Sequence, residues 1–462
     1  MGWRSGEKTP GQKLGIAILV GLLLAIPLIT VWALVYDRQS QSNTATQAIT
    51  EGWGGEQALT GPVLAIPYTT TKTETRVEDG KRVTTARQVT AELLLSPEIL
   101  DFDLQLAPER RRKSIYEAVV YDAQASGQAR FAFPADLDRY DVDPDSLQLD
   151  NAELRFGIAD PKGLGANPQV TVAGEAQRLQ PGGGSKGGSG FFAFVDASAL
   201  REGAMIADFD FGFRGSGAVG LVPTAGTTRW KVNSTWPHPS FGGSFIPDER
   251  GISGNGFAAT YRIGNLALGQ SLVKLDGGRD DPATVMGDRR SGPRYVNGDV
   301  AVIDLIQPVD LYSRVDRATK YGFLHIGFTF MALLMFDVIG GRRISAVAYL
   351  LVGAALVLFF VLLLAFAEVI GFAAAYLVAS AAIAGLVTAY SAAILGSWRR
   401  AMAVGGLLAL LYAALYILLG LEEFALLIGS LMIFAALSAV MYATRNLDWG
   451  KERPVEPANV AA

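Results

Sequence analysis

Six long apolar runs constrain this chain more than any other feature of its sequence. A helix needs about 20 mostly apolar residues to cross the hydrocarbon core of a bilayer, and each run is close to that length. The predicted spans are 14–36, 321–339, 347–367, 370–395, 402–420 and 424–443. The sequence therefore predicts a membrane protein with one helix followed, after a large insertion at 37–320, by a bundle of five.

The charges between the spans predict their orientation. Two connectors carry basic residues, Arg342 with Arg343 and Arg399 with Arg400, and Arg445, Lys451 and Arg453 follow the last span. The other short connectors carry only acids, namely Glu368, Glu422 and Glu423. Short basic loops stay in the cytoplasm, so we expect both termini, at 1–13 and 446–462, inside the cell. Residues 37–320 then lie outside the cytoplasm.

The first run has two interpretations, because Arg4, Lys8 and Lys13 precede it as they would precede a cleaved signal peptide. The apolar core of a signal peptide is only about 7–15 residues long and ends at an Ala-x-Ala-like site. This run is longer, and no such site follows it. We predict an uncleaved signal anchor with a kink at Pro27, a residue that membrane helices tolerate.

The insertion at 37–320 has the pattern of an all-β domain. Short runs in which apolar and polar residues alternate, or that are rich in β-forming residues, occur at 92–95, 101–106, 115–121, 153–158 and 208–213. Strands of this kind, separated by Gly, Pro and Asp turns, are typical of antiparallel sandwiches. The predicted fold class is therefore six transmembrane helices with a sandwich-like β domain inserted after the first.

Three segments of this domain invite other interpretations. Residues 109–113 form a charge run, which we interpret as a solvated turn, with contact to anionic headgroups as the alternative. Residues 181–190 are Gly-rich and predict a flexible loop. Residues 215–220 match G-x-G-x-x-G, but Pro223 prevents the helix that a dinucleotide site needs, so we interpret them as a glycine-rich hairpin turn.

Composition narrows the functions further. The chain has no cysteine and only two histidines, which removes most metal sites. Its net charge of −4 offers no basic stripe for a nucleic acid. We therefore expect no metal, no cofactor and no nucleic-acid partner, and the oligomeric state stays open.

His238 and Ser240 are candidates for a hydrolase. They lie in 236–247, with Trp236 and Phe241 nearby. A nucleophile elbow requires G-x-S-x-G on a strand-to-helix turn, whereas prolines interrupt this segment. We favour an ordered loop anchored by Trp236, Phe241 and Phe245, and keep a hydrolase as the alternative.

Ionisable residues within membrane helices are candidate functional residues. Here they are His325, Asp337 and Glu368, with Glu422 and Glu423 at a helix end. Asp337 is expected to pair with Arg342 and Arg343, and His325 and Glu368 are the two that could meet below the surface. A lipid or small-molecule transporter that uses them is a second hypothesis, although the helix centres lack a continuous chain of such groups.

Several motifs are spread along the chain, at 52–55, 239–247, 256–257, 308–321, 349–353, 368–372, 375–377, 410–416 and 446–449. Together they resemble those of the CreD-type inner-membrane proteins, also called cell envelope integrity proteins. The resemblance covers nearly the whole chain, and the Gly-rich insertion at 182–190 departs from it.

The resemblance implies a protein of the Gram-negative inner membrane with a role in envelope homeostasis, and no defined reaction. Our leading expectation is therefore non-enzymatic. The lipid bilayer surrounds the bundle, and the outer domain binds an envelope component or a partner protein.

Overall fold

The computed structural model describes residues 9–78, 81–184, 189–275, 299–306, 311–338, 344–420 and 425–445. The chain divides into two compact units, one formed by 1–43 with 309–462 and the other by 44–308. The first unit is helical and the second is built from β-sheets. The predicted fold class is confirmed.

Helices account for nearly all of the first unit. In chain order the α-helices of the described residues are α1 (Pro10–Trp53), α2 (Asn265–Leu268), α3 (Leu311–Lys320), α4 (Gly322–Val338), α5 (Ala346–Ile370), α6 (Phe372–Leu395), α7 (Trp398–Gly420) and α8 (Ala425–Thr444). The short α2 and the end of α1 belong to the second unit. Five stretches are long and apolar enough to cross a bilayer: α1, α3 with α4, α5, α6 and α7. The apolar part of α8, Leu427–Tyr442, is shorter and completes the six.

Helix α1 is longer than hydropathy predicts, since it continues from the apolar run through polar residues to Trp53. Residues 37–51 contain neither glycine nor proline, and side chains one turn apart are hydrogen-bonded, as in Gln41 to Asp37 (2.8 Å) and Gln47 to Glu51 (2.8 Å). The helix ends before Gly54, whose φ of +128° suits glycine. Pro27 lies inside α1.

The third and fourth spans form a tight hairpin. Helices α5 and α6 pack against each other, and Gly371, with φ of +80°, is the one residue between them. At the other end of α5, the Ser345 hydroxyl caps the helix by accepting a hydrogen bond from the Ala348 amide (3.2 Å). The basic residues Arg342 and Arg343 and the acids Glu422 and Glu423 lie outside the described residues.

Two sheets form the second unit. Sheet 1 contains β1 (Gln57–Glu78), β2 (Lys81–Leu95), β5 (Ala152–Ile158), β8 (Leu179–Pro181), β9 (Gly190–Val195), β11 (Ala218–Val222), β13 (Pro239–Gly243), β16 (Val273–Leu275) and β17 (Ala301–Leu305). Its order is β13-β17-β11-β1-β5-β9-β8, and β2 pairs with the outer part of β1 and with β16. The β1–β11 pair is parallel.

Sheet 2 contains β3 (Ile99–Lys113), β4 (Tyr116–Phe131), β6 (Gln169–Val172), β7 (Glu175–Ala176), β10 (Met205–Ser216), β12 (Thr227–Ser234), β14 (Glu249–Ser253) and β15 (Gly256–Gly264). Its order is β14-β15-β12-β3-β4-β10-β6-β7, and the β3–β12 pair is parallel. Short 3₁₀ helices occur at Leu137–Tyr140, Pro144–Ser146, Leu149–Asn151, Pro161–Gly163 and Ser198–Arg201.

The core lies between the two sheets, and in the long strands of sheet 2, such as β3, β10 and β12, buried residues alternate with more exposed ones over much of the strand. In β10, the buried residues Phe209, Phe211 and Phe213 alternate with exposed ones. Phe156 of sheet 1 packs edge-on against Phe209 of sheet 2, with 5.6 Å between ring centroids. Burial of each such side chain is worth roughly 1.5–3 kcal/mol, so a cysteine-free domain of this size can be stable.

Two sequence interpretations are wrong. Residues 109–113 are the exposed end of β3 and pair with β4, while the turn lies at Ser114, which has φ of +57°. Residues 215–220 are not a hairpin, because β10 belongs to sheet 2 and β11 to sheet 1. The chain passes from one layer to the other at Gly217, which has φ of +69°. Residues 185–188 of the Gly-rich segment lie outside the described part.

Candidate functional site

Asp337 lies near the end of α4 and is almost fully buried, at 2% exposure. Its carboxylate accepts a hydrogen bond from the Lys13 ammonium of α1 at 2.7 Å. Lys13 also reaches the Asp337 carbonyl oxygen at 3.3 Å. A buried carboxylate needs a paired cation, and here that cation comes from α1. The ion pair therefore holds α1 against α4.

Glu368 lies near the end of α5 and has a different pair of partners. The Tyr312 hydroxyl of α3 donates to its carboxylate at 3.2 Å, and the Arg38 guanidinium of α1 lies 3.9 Å away. The Glu368 side chain is 16% exposed. This looser arrangement joins α1, α3 and α5 at one level of the helical unit.

His325 lies in α4 and is 4% exposed. Aromatic rings surround it: the Tyr412 ring centroid lies 4.9 Å away, and those of Phe359 and Phe360 each lie 6.5 Å away. The Tyr321 carbonyl lies near the ring, one turn earlier, but neither ring nitrogen makes a hydrogen bond of normal geometry to a described residue. His325 is thus packed as an aromatic side chain.

The structure does not bring His325 and Glu368 together. His325 packs beside Phe360, and Glu368 is eight residues further along α5. At 1.5 Å per residue this separation is about 12 Å along the helix. The partners of Glu368, Tyr312 and Arg38, lie on other helices. His325 and Glu368, which could have met below the surface, therefore do not meet.

An apolar groove of about 260 Å³ separates part of α1 from α4. Small residues open it, including Ala17, Gly21 and Ala25 of α1 and Gly327 of α4. Within a bilayer, lipid chains fill such grooves, because the surrounding medium is hydrocarbon. The groove fits a lipid-facing surface of the helical unit.

The hydrolase candidates of the β domain lie at an edge strand, β13, and not in the loop that the sequence predicts. Ser240 lies within the strand, and His238 lies just before it. His238 is exposed, and Ser240 pairs with Asp304 of β17. Pro239 is the first residue of this edge strand. Proline has no backbone N–H to donate, and the first position of an edge strand tolerates this loss. The segment is ordered by strand pairing.

Trp236 and Phe241 anchor this segment to the core, as predicted. The buried Trp236 indole donates to the Ile306 carbonyl at 3.0 Å. Phe241 packs edge-on against Phe257, with 5.8 Å between ring centroids. Both aromatic side chains are therefore committed to packing.

Another tryptophan, Trp53, is held between two cations. The Arg111 guanidinium lies 3.5 Å and the Arg214 guanidinium 4.3 Å from its ring. Its indole donates to the Tyr121 carbonyl at 3.3 Å. Cation–π contacts of this kind stabilise exposed rings by about 0.5–1 kcal/mol each, so the motif at 52–55 fixes the end of α1 to sheet 2.

A shallow groove of about 590 Å³ opens at one end of sheet 2. Its walls come from β3, β12, β14 and β15, and its polar side chains are Gln105, Asn233, Ser234, Thr235, Ser253 and Asn255. None of the lining residues is charged. No pattern in the sequence predicted this groove. Alternation shows that Gln105 and Asn233 face outward, but only the pairing of β3 with β12 makes them neighbours.

Acidic and histidine side chains do not cluster in a way that suits a metal: in the part of the chain that the structure describes, no group of three or more could hold one.

Comparison with known proteins agrees with these features. Residues 9–450 match the model of a family described as Inner membrane protein CreD. The chain is also 31% identical over 432 residues to the protein named Inner membrane protein CreD of Escherichia coli (strain K12). That alignment covers 93% of this chain and 91% of the relative.

Proposed function

The chain belongs to the CreD family of inner membrane proteins, and from this premise we propose that it is a non-enzymatic binding protein of the cell envelope. In this proposal the helical unit anchors the chain in the inner membrane with both termini in the cytoplasm. The β domain lies in the periplasm, where it binds an envelope component, and this binding contributes to envelope integrity.

The observation that carries the proposal is the open, uncharged groove at the end of sheet 2. The candidate residues Asp337 and Glu368 of the helical unit, in contrast, are engaged with cations, and His325 is packed among rings. Binding sites are typically concave and carry a few polar groups that orient the ligand. The groove has that character, and the hydrolase candidates His238 and Ser240 lie outside its lining.

The orientation can be tested directly, because the natural chain contains no cysteine. Single cysteines would be placed at the exposed Ala199 of the β domain and at Thr9 before α1. A membrane-impermeant maleimide should label Ala199→Cys in cells with a permeabilised outer membrane, and Thr9→Cys only after lysis. The opposite labelling would overturn the proposed topology.

Binding is tested with the full chain in lipid nanodiscs. We expect it to co-sediment with purified peptidoglycan sacculi or with outer-membrane vesicles. Gly251→Leu should abolish this, because a Cβ at Gly251 meets open space and the longer side chain fills the groove. Gly254→Leu is the matched control, since its Cβ also meets open space and it is not a lining residue.

Each result has a defined meaning. Loss of sedimentation in Gly251→Leu and retention in Gly254→Leu would support the proposal. Equal sedimentation of both variants would move binding away from the groove. Failure of the unmodified chain to sediment with either fraction would remove the binding function itself.

Transport through the helical unit is a second candidate, favoured by the buried imidazole of His325, whose nitrogens make no hydrogen bond of normal geometry within the part of the chain that the structure describes. An intramembrane ionisable group can be a site of proton or substrate binding. His325→Phe would keep the ring packing and remove the titratable group. If this variant failed to complement a deletion strain while inserting normally, the transporter would become the leading candidate.

A further inference from the structure

The groove on sheet 2 has an ordered floor. Asn233 of β12 is paired with Gln105 of β3, and Gln105 is paired with Gln124 of β4. All three side chains are exposed. Directly paired residues point to the same face of a sheet, so three carboxamides stand in a row across three neighbouring strands. Gln105 and Asn233 line the groove. Gln124 lies beside it, and its amide donates one hydrogen bond to Asp210 of β10, which leaves its second N–H and its oxygen for a ligand. We refer to Gln124, Gln105 and Asn233 as the amide row.

The row continues into positions with little or no side chain. Asn233 is paired with Ala258 of β15, Ala258 with Gly251 of β14, and Gln124 with Gly212 of β10. The amide row is thus extended on both sides by small residues. An elongated ligand could therefore lie across the strands without meeting a side-chain barrier.

The neighbouring rows on the same face are charged. Two residues before Gln105 and Asn233 on their strands, Asp103 is paired with Lys231. Two residues before that pair, the Arg229 guanidinium lies 2.6 Å from the Asp101 carboxylate. Opposite charges therefore lie side by side next to Gln105 and Asn233, and the groove has no charged lining residue that would bind an ion. Next to Gln124, the Asp210 carboxylate accepts a hydrogen bond from that amide.

We infer that the amide row binds an uncharged saccharide chain. This inference rests on the proposed binding function and names its ligand class. A carboxamide carries two N–H donors and an acceptor oxygen, and a sugar hydroxyl is both donor and acceptor. A row of carboxamides can thus bond hydroxyl or acetamido groups in either direction, whereas a charged ligand would lack a counter-ion.

The spacing supports the same ligand. Neighbouring strands are about 4.7–4.9 Å apart, which is close to the length of one pyranose ring. A saccharide lying across β12, β3 and β4 would place successive rings over Asn233, Gln105 and Gln124. The affinity should therefore increase with chain length up to three rings and then level off.

The test uses the full chain in nanodiscs prepared without sugar-based detergent. The probes are β-1,4-linked N-acetylglucosamine oligomers of one to five units, followed by saturation-transfer NMR and titration calorimetry. Maltotetraose tests an acetamido-free chain, and oligogalacturonate tests an anionic one. We expect a neutral oligomer to bind with an affinity that hardly changes with salt.

Variants locate the site. Gln105→Ala and Asn233→Ala should each weaken binding about tenfold. Gln128→Ala is the matched control, because Gln128 lies on the same face of β4, outside the groove, where it donates to Asp208 at 2.7 Å. All the changed residues are exposed, and thermal unfolding checks that each variant is folded. Asn233→Asp keeps the shape and adds a charge, and it should weaken binding as well.

The outcomes separate this inference from the proposed function. If the chain sediments with envelope fractions but binds no neutral oligomer, or if the amide-row variants bind like the control, the saccharide inference is overturned and the binding function stands. Preference for the anionic oligomer would also overturn it. If the chain binds neither oligomers nor envelope fractions, both fail.

Discussion

The helical unit and the β domain differ in where their ion pairs lie. Among the described residues of the helical unit, two ion pairs join separate helices, Lys13 with Asp337 and Arg38 with Glu368. In the β domain, most ion pairs lie on exposed faces, as in Arg229 with Asp101 and Arg214 with Asp122. Charge therefore links helices in the first unit, whereas on the sheets it lies mainly at the solvent-exposed surface.

Removing the buried carboxylate of the helical unit should have the largest effect. Asp337→Ala leaves the Lys13 ammonium, which is 21% exposed, without its partner. Breaking a buried ion pair in this way costs roughly 3–5 kcal/mol, which SDS unfolding of the purified protein would measure. The double variant Lys13→Met, Asp337→Leu should recover most of the loss. A single variant as stable as the natural chain would show that this charge is not structural.

Arg155 is the exception on the sheets, because it is buried and paired with two acids. Its guanidinium binds Glu92 through two hydrogen bonds (2.7 and 2.9 Å) and Glu153 through a third (2.8 Å). Arg155→Met should destabilise the β domain by about 2 kcal/mol, less than the loss at Asp337, because Glu92 is 41% exposed and can be hydrated. Arg229→Met, at an exposed pair, is the control and should change the unfolding free energy by under about 1 kcal/mol.

The β domain should also lose stability at alkaline pH. The buried Tyr121 donates to the Ala218 carbonyl at 2.8 Å, and burial raises its pKa well above the usual value near 10. The folded state therefore favours the neutral phenol. Stability is complete below pH 10 and falls as the pH rises towards the folded-state pKa, by up to about 1.4 kcal/mol per pH unit. Tyr121→Phe should flatten this dependence in pH-jump unfolding, and an unchanged slope would contradict the assignment.

The smallest effect is expected at Glu368, whose ion pair is long and partly exposed. Glu368→Gln keeps the hydrogen bond from Tyr312 and removes only the charge. The unfolding free energy should change by less than about 1 kcal/mol, and complementation of a deletion strain should persist. Loss of function with normal stability would mean that this carboxylate acts beyond holding the helices together.

Hydropathy predicted the helices well because the bilayer imposes a length on each span. It placed the end of the first helix too early, because residues 37–53 are polar but favour a helix. Alternation also located strands such as those at 101–106 and 208–213. It did not reveal the continuation of β3 through 109–113, where both faces are exposed and no alternation remains.

The candidate sites were harder to predict, since they depend on contacts between distant parts of the chain. The partner of Asp337 is Lys13 of the first helix, and spacing along the sequence favoured the nearer arginines. The amide row likewise exists only through the parallel pairing of β3 with β12. Local patterns place each side chain on a face, but the order of the strands decides which side chains become neighbours.

The position of Gly217 has a consequence for how the β domain folds and unfolds. Because β10 continues into β11 at this residue, one uninterrupted stretch of backbone belongs to both layers. The two layers also share one core, as in the contact of Phe156 with Phe209, so melting of either layer would expose the buried face of the other. The domain should therefore unfold cooperatively, in a single calorimetric transition, and offer a protease no half-folded intermediate with one intact sheet.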